Sequence, residues 1–514
     1  MTGSGIARDA ALRGLTTLLV EKDDFSYGTT SRSTRLIHGG LRYLRTFEFK
    51  LVWQDLHERE VLLHIAPHLV NKLEFTIPLL RSEPLYRLSL PFGLALYDIL
   101  ALGKSLPSRK HYSLKKTLEA EPALKDVADL VGSYSYFDCQ ASNMERLCLE
   151  NAISADAKGS VLLNHTEATD FIYEDGTING IRLRDRISGK TYTARGRMTV
   201  NAGGPWANTV WNKLNIGQKF NLRRTMGIHL LTRKLSNKAL VLFAKSDGRL
   251  FFIIPWHEWS LIGTTDTDYL GDPDKVGAEK ADVDYLVQET QHYFPKFKLE
   301  DIYYTMAGLR PLASRGEKAE TNTTRAHKLI DHEKTDNVKG LISILGGKIT
   351  AYRAIAEETT DLVCKKLKVA ERCTTPEIPL PGAPAVSQVE ITKIAALKGL
   401  PVEAINNLAG IYGSRLSSVL EYVDQDKSLG NFIHPGFPDI RAQIKHAVLE
   451  EEALTLNDFM LRRSLLGLTP SQGKEAIETV ANDMASLLGW NEMEKQKQMA
   501  EYFTATAIGQ AFSK

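Results

Sequence analysis

"MTGSGIARDAALRGLTTLLVEKDD", Met1 to Asp24, decides how the fold of this chain is read. Gly3 and Gly5 precede a run of small helix formers, Ile6 to Leu12, and Gly14 stands where a left-handed cap ends a helix. Leu15 to Val20 is a continuous apolar run closing on Glu21, the pattern of a buried parallel strand. Dinucleotide folds use this order. Glycines let backbone amides approach a diphosphate at a helix N-terminus, and an acid about 20 residues further on holds a ribose hydroxyl. The competing reading of the same residues is an ordinary helix between two loops.

The length of 514 residues implies two or more domains and a large core. A net charge of +2 and a pI near 8.1 leave no electrostatic footprint for nucleic acid. Cys139, Cys148, Cys364 and Cys373 have neither metal-type spacing nor the look of a disulfide framework, so a reducing compartment and buried or idle thiols are expected. No metal is expected. There is no secretory signal and no apolar run of about 18 residues, which predicts a protein that is soluble or peripheral. The most lipophilic stretch, "LSLPFGLALYDILALG" from Leu88 to Gly103, is broken by Pro91 and Asp98. It reads first as a core helix and second as an interfacial membrane contact.

Further along, "VLLNHTEATDFIYEDGTINGIRLRD" places Asp175-Gly176 between two alternating runs, a hairpin signal. "YTARGRMTVNAGG" then ends a strand in a glycine turn. Flavoproteins of the glutathione-reductase type carry a similar β-meander inserted in their dinucleotide fold. Strands recur from about 215 to 310, among them "RLFFIIPWHEWSLIGTTDTDY", and read as the antiparallel sheet of a second domain. "LISILGGKITAYRAIAEETTDLVCKKL" is strand, glycine turn and helix, a second nucleotide-type turn. The proline-rich "PEIPLPGAPA", Pro376 to Ala385, continues neither element, and the sequence beyond it is helical in pattern. A boundary near 378 divides the chain into residues 1–378 and 379–514.

At this point the residues resemble a family. "GTTSRSTRLIHGGLRYL" (Gly28 to Leu44), "NAGGPWA" (Asn201 to Ala207), "GTTDTDY" (Gly263 to Tyr269), "AGLRPL" (Ala307 to Leu312) and "LGGKITAYR" (Leu345 to Arg353) occur in the order and spacing of FAD-dependent glycerol-3-phosphate dehydrogenases. "DCQASNMERLCLENA" and "TLNDFMLRRS" extend the resemblance over nearly the whole chain. It implies an α/β FAD-binding domain of the glutathione-reductase and amino-acid-oxidase type, an inserted antiparallel substrate domain, and a C-terminal all-helical domain. Family members begin with an apolar strand and glycines ahead of the position of Met1. Two readings of Met1 are open, a shortened start and an internal methionine taken as the start. The second predicts a strand and turn of about ten to twenty residues encoded upstream.

The implied chemistry explains the residue types. Oxidising the secondary alcohol of glycerol 3-phosphate requires holding a phosphate dianion, removing the hydroxyl proton and delivering hydride to FAD. Arginine forks bind phosphate bidentately, and the resemblance marks Arg42 and Tyr43, Arg310, and Arg325 in "TTRAHKLI" as lining that pocket. A surface arginine paired with a carboxylate is the alternative for each. His229 in "MGIHLL" is the first candidate base, against the alternative of a satisfied core histidine. Lys348 is the second, as base or as a positive charge beside the reduced flavin. With Arg310 they form the expected catalytic set.

For FAD the expected contacts are Gly3, Gly5 and Glu21, then the polar loop of Ser31, Ser33 and Thr34 with Gly39 and Gly40. Ala168 in the meander, Asn201 and Gly203 after the returning strand, and Gly346, Gly347, Lys348 and Thr350 at the second turn complete the set. The resemblance implies glycerol 3-phosphate as substrate, a quinone or other electron acceptor, and a cytoplasmic protein. Peripheral contact with the cytoplasmic face of the membrane and a homodimer are left open. An oxidase passing electrons to oxygen shares every motif, and a form defective in FAD binding is the third reading. No EF-hand loop follows the helical tail, so calcium control is not expected.

Overall fold

The computed structural model describes residues 1–214, 222–313 and 326–513. Its first element is helix α1 (Thr2–Leu12), ended by Gly14 at φ +76°. Small residues let α1 sink between two neighbours: Ala7, Ala10 and Ala11 are buried, and Gly5 leaves room for the Tyr352 ring, which a Cβ there would approach to 3.0 Å. Those neighbours are the helices Met144–Asp156 and Tyr352–Leu367.

Around α1 the parallel sheet is divided. Among the described residues strand β1 (Leu18–Val20) pairs, in parallel, only with β6 (Val161–Leu163). Strand β10 (Thr199–Asn201) pairs in parallel with β18 (Leu341–Leu345), which pairs antiparallel with β17 (Lys328–Asp331). Among the described residues no strand joins the two groups. The start of α1 lies between them, since a Cβ on Gly3 would stand 3.6 Å from Ala202 and 3.7 Å from Leu19. The expected continuous buried strand from Leu15 is therefore shorter and only half-buried, because Gly14 turns the chain just before it and Leu18, Leu19 and Val20 line a cavity.

The meander is as expected: β7 (Thr166–Glu174), β8 (Thr177–Asp185) and β9 (Thr191–Arg195) form a separate sheet. Asp175 and Gly176 turn its first hairpin at φ 48° and 76°.

The large sheet runs β15-β11-β14-β13-β12-β3-β5-β2, with β16 on β11 and β4 on β5. Its strands are β2 (Leu36–Ile37), β3 (Val70–Leu80), β4 (Lys110–Ser113), β5 (Leu130–Ala141), β11 (Leu222–Arg233), β12 (Ala239–Phe243), β13 (Leu250–Trp256), β14 (Trp259–Gly263), β15 (Thr267–Asp268) and β16 (Ile302–Ala313). The expected sheet over about 215 to 310 is thus extended by four strands from the N-terminal part. The junction is the parallel pairing of Ala239 with Phe75, distant in sequence and without a local signal.

Two further helices frame the site. Helix α2 (Phe49–Ile65) buries Asp55, Glu58 and Arg59 while Trp53 and His57 face outward. Helix α3 (Pro84–Leu100) corrects the core-helix reading. It buries Leu90, Leu94 and Tyr97 but exposes Leu85, Leu88, Phe92 and Ile99. From Gln388 onward the chain is helical and holds two apolar clusters of its own. It is tied back by buried ion pairs, Arg146 to Glu451 and Arg463 to Asp24. All four cysteines are free and buried.

Candidate active site

A cavity of about 2740 Å³ opens at the start of α1 and continues between β1 and β10. Gly3, Glu21, Ser31, Ala168, Asn201, Gly203, Gly346, Gly347 and Lys348 all line it, so residues far apart in sequence converge on one space. Its volume exceeds the roughly 300–1,000 Å³ of an ordinary ligand pocket, and its lining runs from the two strand groups to Trp490, Gln498 and Ile508 of the C-terminal helices.

Local geometry explains how these residues are held. Glu21 continues the β1–β6 ladder by donating its N–H to Leu163 O at 2.9 Å, and Asp23 N–H donates to its Oε1 at 3.1 Å. Burial pushes the Glu21 carboxyl above its usual range. Asn201 braces the glycine turn by accepting from Gly203 N–H and donating to Ala207 O, both at 3.1 Å. Gly346 and Gly347 take φ of 75° and 107°, and a Cβ on Gly347 would meet Ile355 at 2.6 Å. Ser31 donates to Tyr27 O and Gly28 O, and Ser33 to Thr30 O, so both hydroxyls brace their own loop. Thr350 Oγ1 accepts from His38 N–H at 3.2 Å, and Gly39 N–H donates to Tyr97 Oη at 3.1 Å. Gly5 faces Tyr352 and serves helix packing.

Beside this cavity the β11–β16 pair assembles a second group. Its register sets Thr225 opposite Arg310 and His229 opposite Met306. Gly227 clears a path for the arginine, since a Cβ there would overlap the guanidinium at 2.0 Å from Nη2. Arg310 donates to Thr264 Oγ1 at 2.7 Å, Thr265 O at 3.0 Å and Asp266 Oδ1 at 3.0 Å. His229 Nε2 lies 2.9 Å from Thr34 Oγ1, joining β11 to the Ser31–Thr34 loop. Burial, with Arg310 and Arg35 nearby, lowers His229 to about 3, so its ring is neutral near pH 7. Arg42 donates to Tyr43 Oη at 3.0 Å. Lys348 Nζ lies 4.8 Å from the centre of the Tyr43 ring, donates to His38 O at 3.4 Å and is hydrogen-bonded to Asp55 Oδ2. Arg325 lies outside the described residues.

Three residues at this site were not singled out in the sequence. Asp266 shares Arg310, Asp55 holds Lys348, and buried His38 is pushed well down by burial and by Lys348, Arg42 and Arg59. His38 and Asp266 sit inside quoted motifs, "HGGLRYL" and "GTTDTDY", and were within reach of the reading. Asp55 had no signal, because "QDLHERE" has the composition of a solvated helix face.

The FAD dependent oxidoreductase model matches residues 1–362, and the C-terminal domain of alpha-glycerophosphate oxidase matches residues 373–495. A glycerol-3-phosphate dehydrogenase of Synechocystis sp. is 39% identical over 98% of this chain and 94% of its own length. The chain belongs to the FAD-dependent glycerol-3-phosphate dehydrogenase family. The family member from Bacillus halodurans, solved in complex with FAD, is 30% identical, covers 99% of this chain and 93% of its own, and superposes with a TM-score of 0.81. D-erythritol 1-phosphate dehydrogenase of Brucella abortus is 33% identical over 94% of this chain and 96% of its own length. FAD is the cofactor of the family, and the residues present fit it. A helix N-terminus, an acid at the adjoining strand end and two glycine turns surround one elongated cavity.

Proposed function

We propose that this family member oxidises sn-glycerol 3-phosphate to dihydroxyacetone phosphate and passes the electrons to a quinone at a membrane surface. Arg310 is the observation that carries the substrate reading. Its planar fork, one strand from His229, is engaged by Thr264, Thr265 and Asp266, and a phosphate would bind it bidentately by taking the place of these acceptors. Arg42, hydrogen-bonded to Tyr43 Oη, adds a second positive charge. His229 and Lys348 flank the position of the reacting carbon, His229 as a neutral hydrogen-bonding ring fixed by Thr34, Lys348 as a cation. The cofactor is held by Gly3, Glu21, Ala168, Asn201, Gly203, Gly346 and Gly347, with Ser31, Ser33, Thr34, Gly39, Gly40 and Thr350 framing the end that meets substrate. When bound, FAD supplies the hydride acceptor.

The acceptor reading rests on α3. Leu85, Leu88, Phe92 and Leu102 are 69% to 82% exposed, and Phe47 and Trp53 are exposed on the neighbouring segment. Arg45, Lys50, Arg81 and Arg87 are exposed on the same segments, which suits an anionic lipid surface. No helix among the described residues is long and apolar enough to cross a membrane. Co-sedimentation with anionic vesicles, lost in the Leu88→Glu/Phe92→Glu double variant, tests the surface. Reduction of a water-soluble quinone analogue against peroxide release tests the acceptor. Rapid peroxide release with no quinone reduction would favour the oxidase reading.

A further inference from the structure

We propose that Asp55, standing behind Lys348, takes up the hydroxyl proton that substrate oxidation releases, with Lys348 relaying it. This rests on the reading of the site as one that oxidises an alcohol. Lys348 lines the cavity and Asp55 does not, so the lysine stands between the carboxylate and any bound molecule. The Asp55 side chain is fully buried; its Oδ2 meets Lys348 Nζ, while its Oδ1 is buried without a hydrogen-bond partner. An acceptor so placed has capacity left for a proton. Gly40 makes the contact sterically open, since a Cβ there would stand 2.8 Å from Nζ.

The surroundings favour this residue over His229. His229 also has a free buried atom, Nδ1, but a proton there would create a buried cation beside Arg310 and Arg35. A proton on Asp55 removes a buried negative charge. Facing Asp55 are Lys348 from the loop after β18, Asp138 from β5 and Glu58 from α2. The lysine opposes protonation and the two acids favour it. Burial raises Asp55 to about 6, near the working range of a proton acceptor.

The step balances. The substrate O–H bond breaks as a new N–H bond forms on Lys348, and one of the lysine's original protons passes to Asp55 Oδ2. The adjacent C–H pair leaves as hydride to the flavin, the oxidant, and the carbonyl forms. Lys348 remains an ammonium, now beside a neutral carboxylic acid, so its charge is freed to balance the reduced cofactor.

The test is the pH dependence of the flavin's two-electron potential in FAD-loaded protein without substrate, between pH 7 and 8. Each proton taken up contributes about 30 mV per pH unit. Uptake on the flavin and on Asp55 predicts about 60 mV in the native protein and in Asp55→Glu, and about 30 mV in Asp55→Asn. Equal slopes in the native protein and Asp55→Asn would overturn the proposal. Should Asp55→Asn hold no FAD, the reduced-minus-oxidised infrared difference spectrum of the native protein decides. A protonated carboxyl C=O band must appear on reduction, and its absence would overturn the proposal. Neither readout uses glycerol 3-phosphate, so failure here is distinct from failure of the substrate reading.

Discussion

Thr34 Oγ1 and His229 Nε2 lie 2.9 Å apart and join the loop after the first nucleotide strand to the long strand of the substrate sheet. The contact fixes which His229 nitrogen is engaged, and burial keeps the ring neutral. Because the ring resists protonation, stability depends on pH. His229 is lowered to about 3 and His68 to about 4, against an ordinary value of 6.5. As pH falls below 6.5 the unfolded chain binds protons that the folded chain refuses, so stability is complete above that value and declines toward pH 4. Each unit in this window costs at most about 1.4 kcal/mol per histidine. Melting temperatures between pH 7.5 and 4 should fall accordingly, and His68→Asn should flatten the decline. A flat profile in the native protein would contradict the burial argument.

Arg310→Lys keeps the charge but loses the fork that reaches Thr264, Thr265 and Asp266. A loss of about 1.5–3 kcal/mol in substrate binding is expected, raising KM for glycerol 3-phosphate at least tenfold. FAD content should stay unchanged. An unaltered KM would return Arg310 to a structural role.

Asp24 joins the helical domain to the nucleotide domain: Arg463 Nη1 is 2.7 Å and Arg462 Nε 2.6 Å from its Oδ2, with all three side chains buried. Asp24→Asn leaves Arg462 with Asp458 and Arg463 with Glu451 as their remaining counter-charges, so a destabilisation toward the low end of about 3–5 kcal/mol follows. Asp424→Asn, which breaks an exposed pair with Lys398, is the control and should cost less than about 1 kcal/mol. Comparable shifts in the two variants by denaturant titration would refute the anchoring role.

Local signals were the legible ones. Gly14 ends α1, Asp175-Gly176 turns a hairpin and Gly346-Gly347 opens the second turn, each because a positive φ leaves little choice of residue. What depends on distant partners was not legible. The parallel contact of β12 with β3 enlarges the substrate sheet without any mark in either strand. Helix α2 inverts the usual pattern, burying Asp55, Glu58 and Arg59 because Lys348, Arg353 and Asp138 supply their counter-charges. Helix α3 misled in the opposite direction: its hydrophobicity is real, but much of it faces outward.

The central claim, that this site oxidises a phosphorylated polyol through FAD, is tested most directly by anaerobic absorbance titration of the FAD-loaded protein. Glycerol 3-phosphate should bleach the oxidised flavin band stoichiometrically, and glycerol at the same concentration should leave it nearly intact. Equal bleaching by both, or none by glycerol 3-phosphate, would contradict the account.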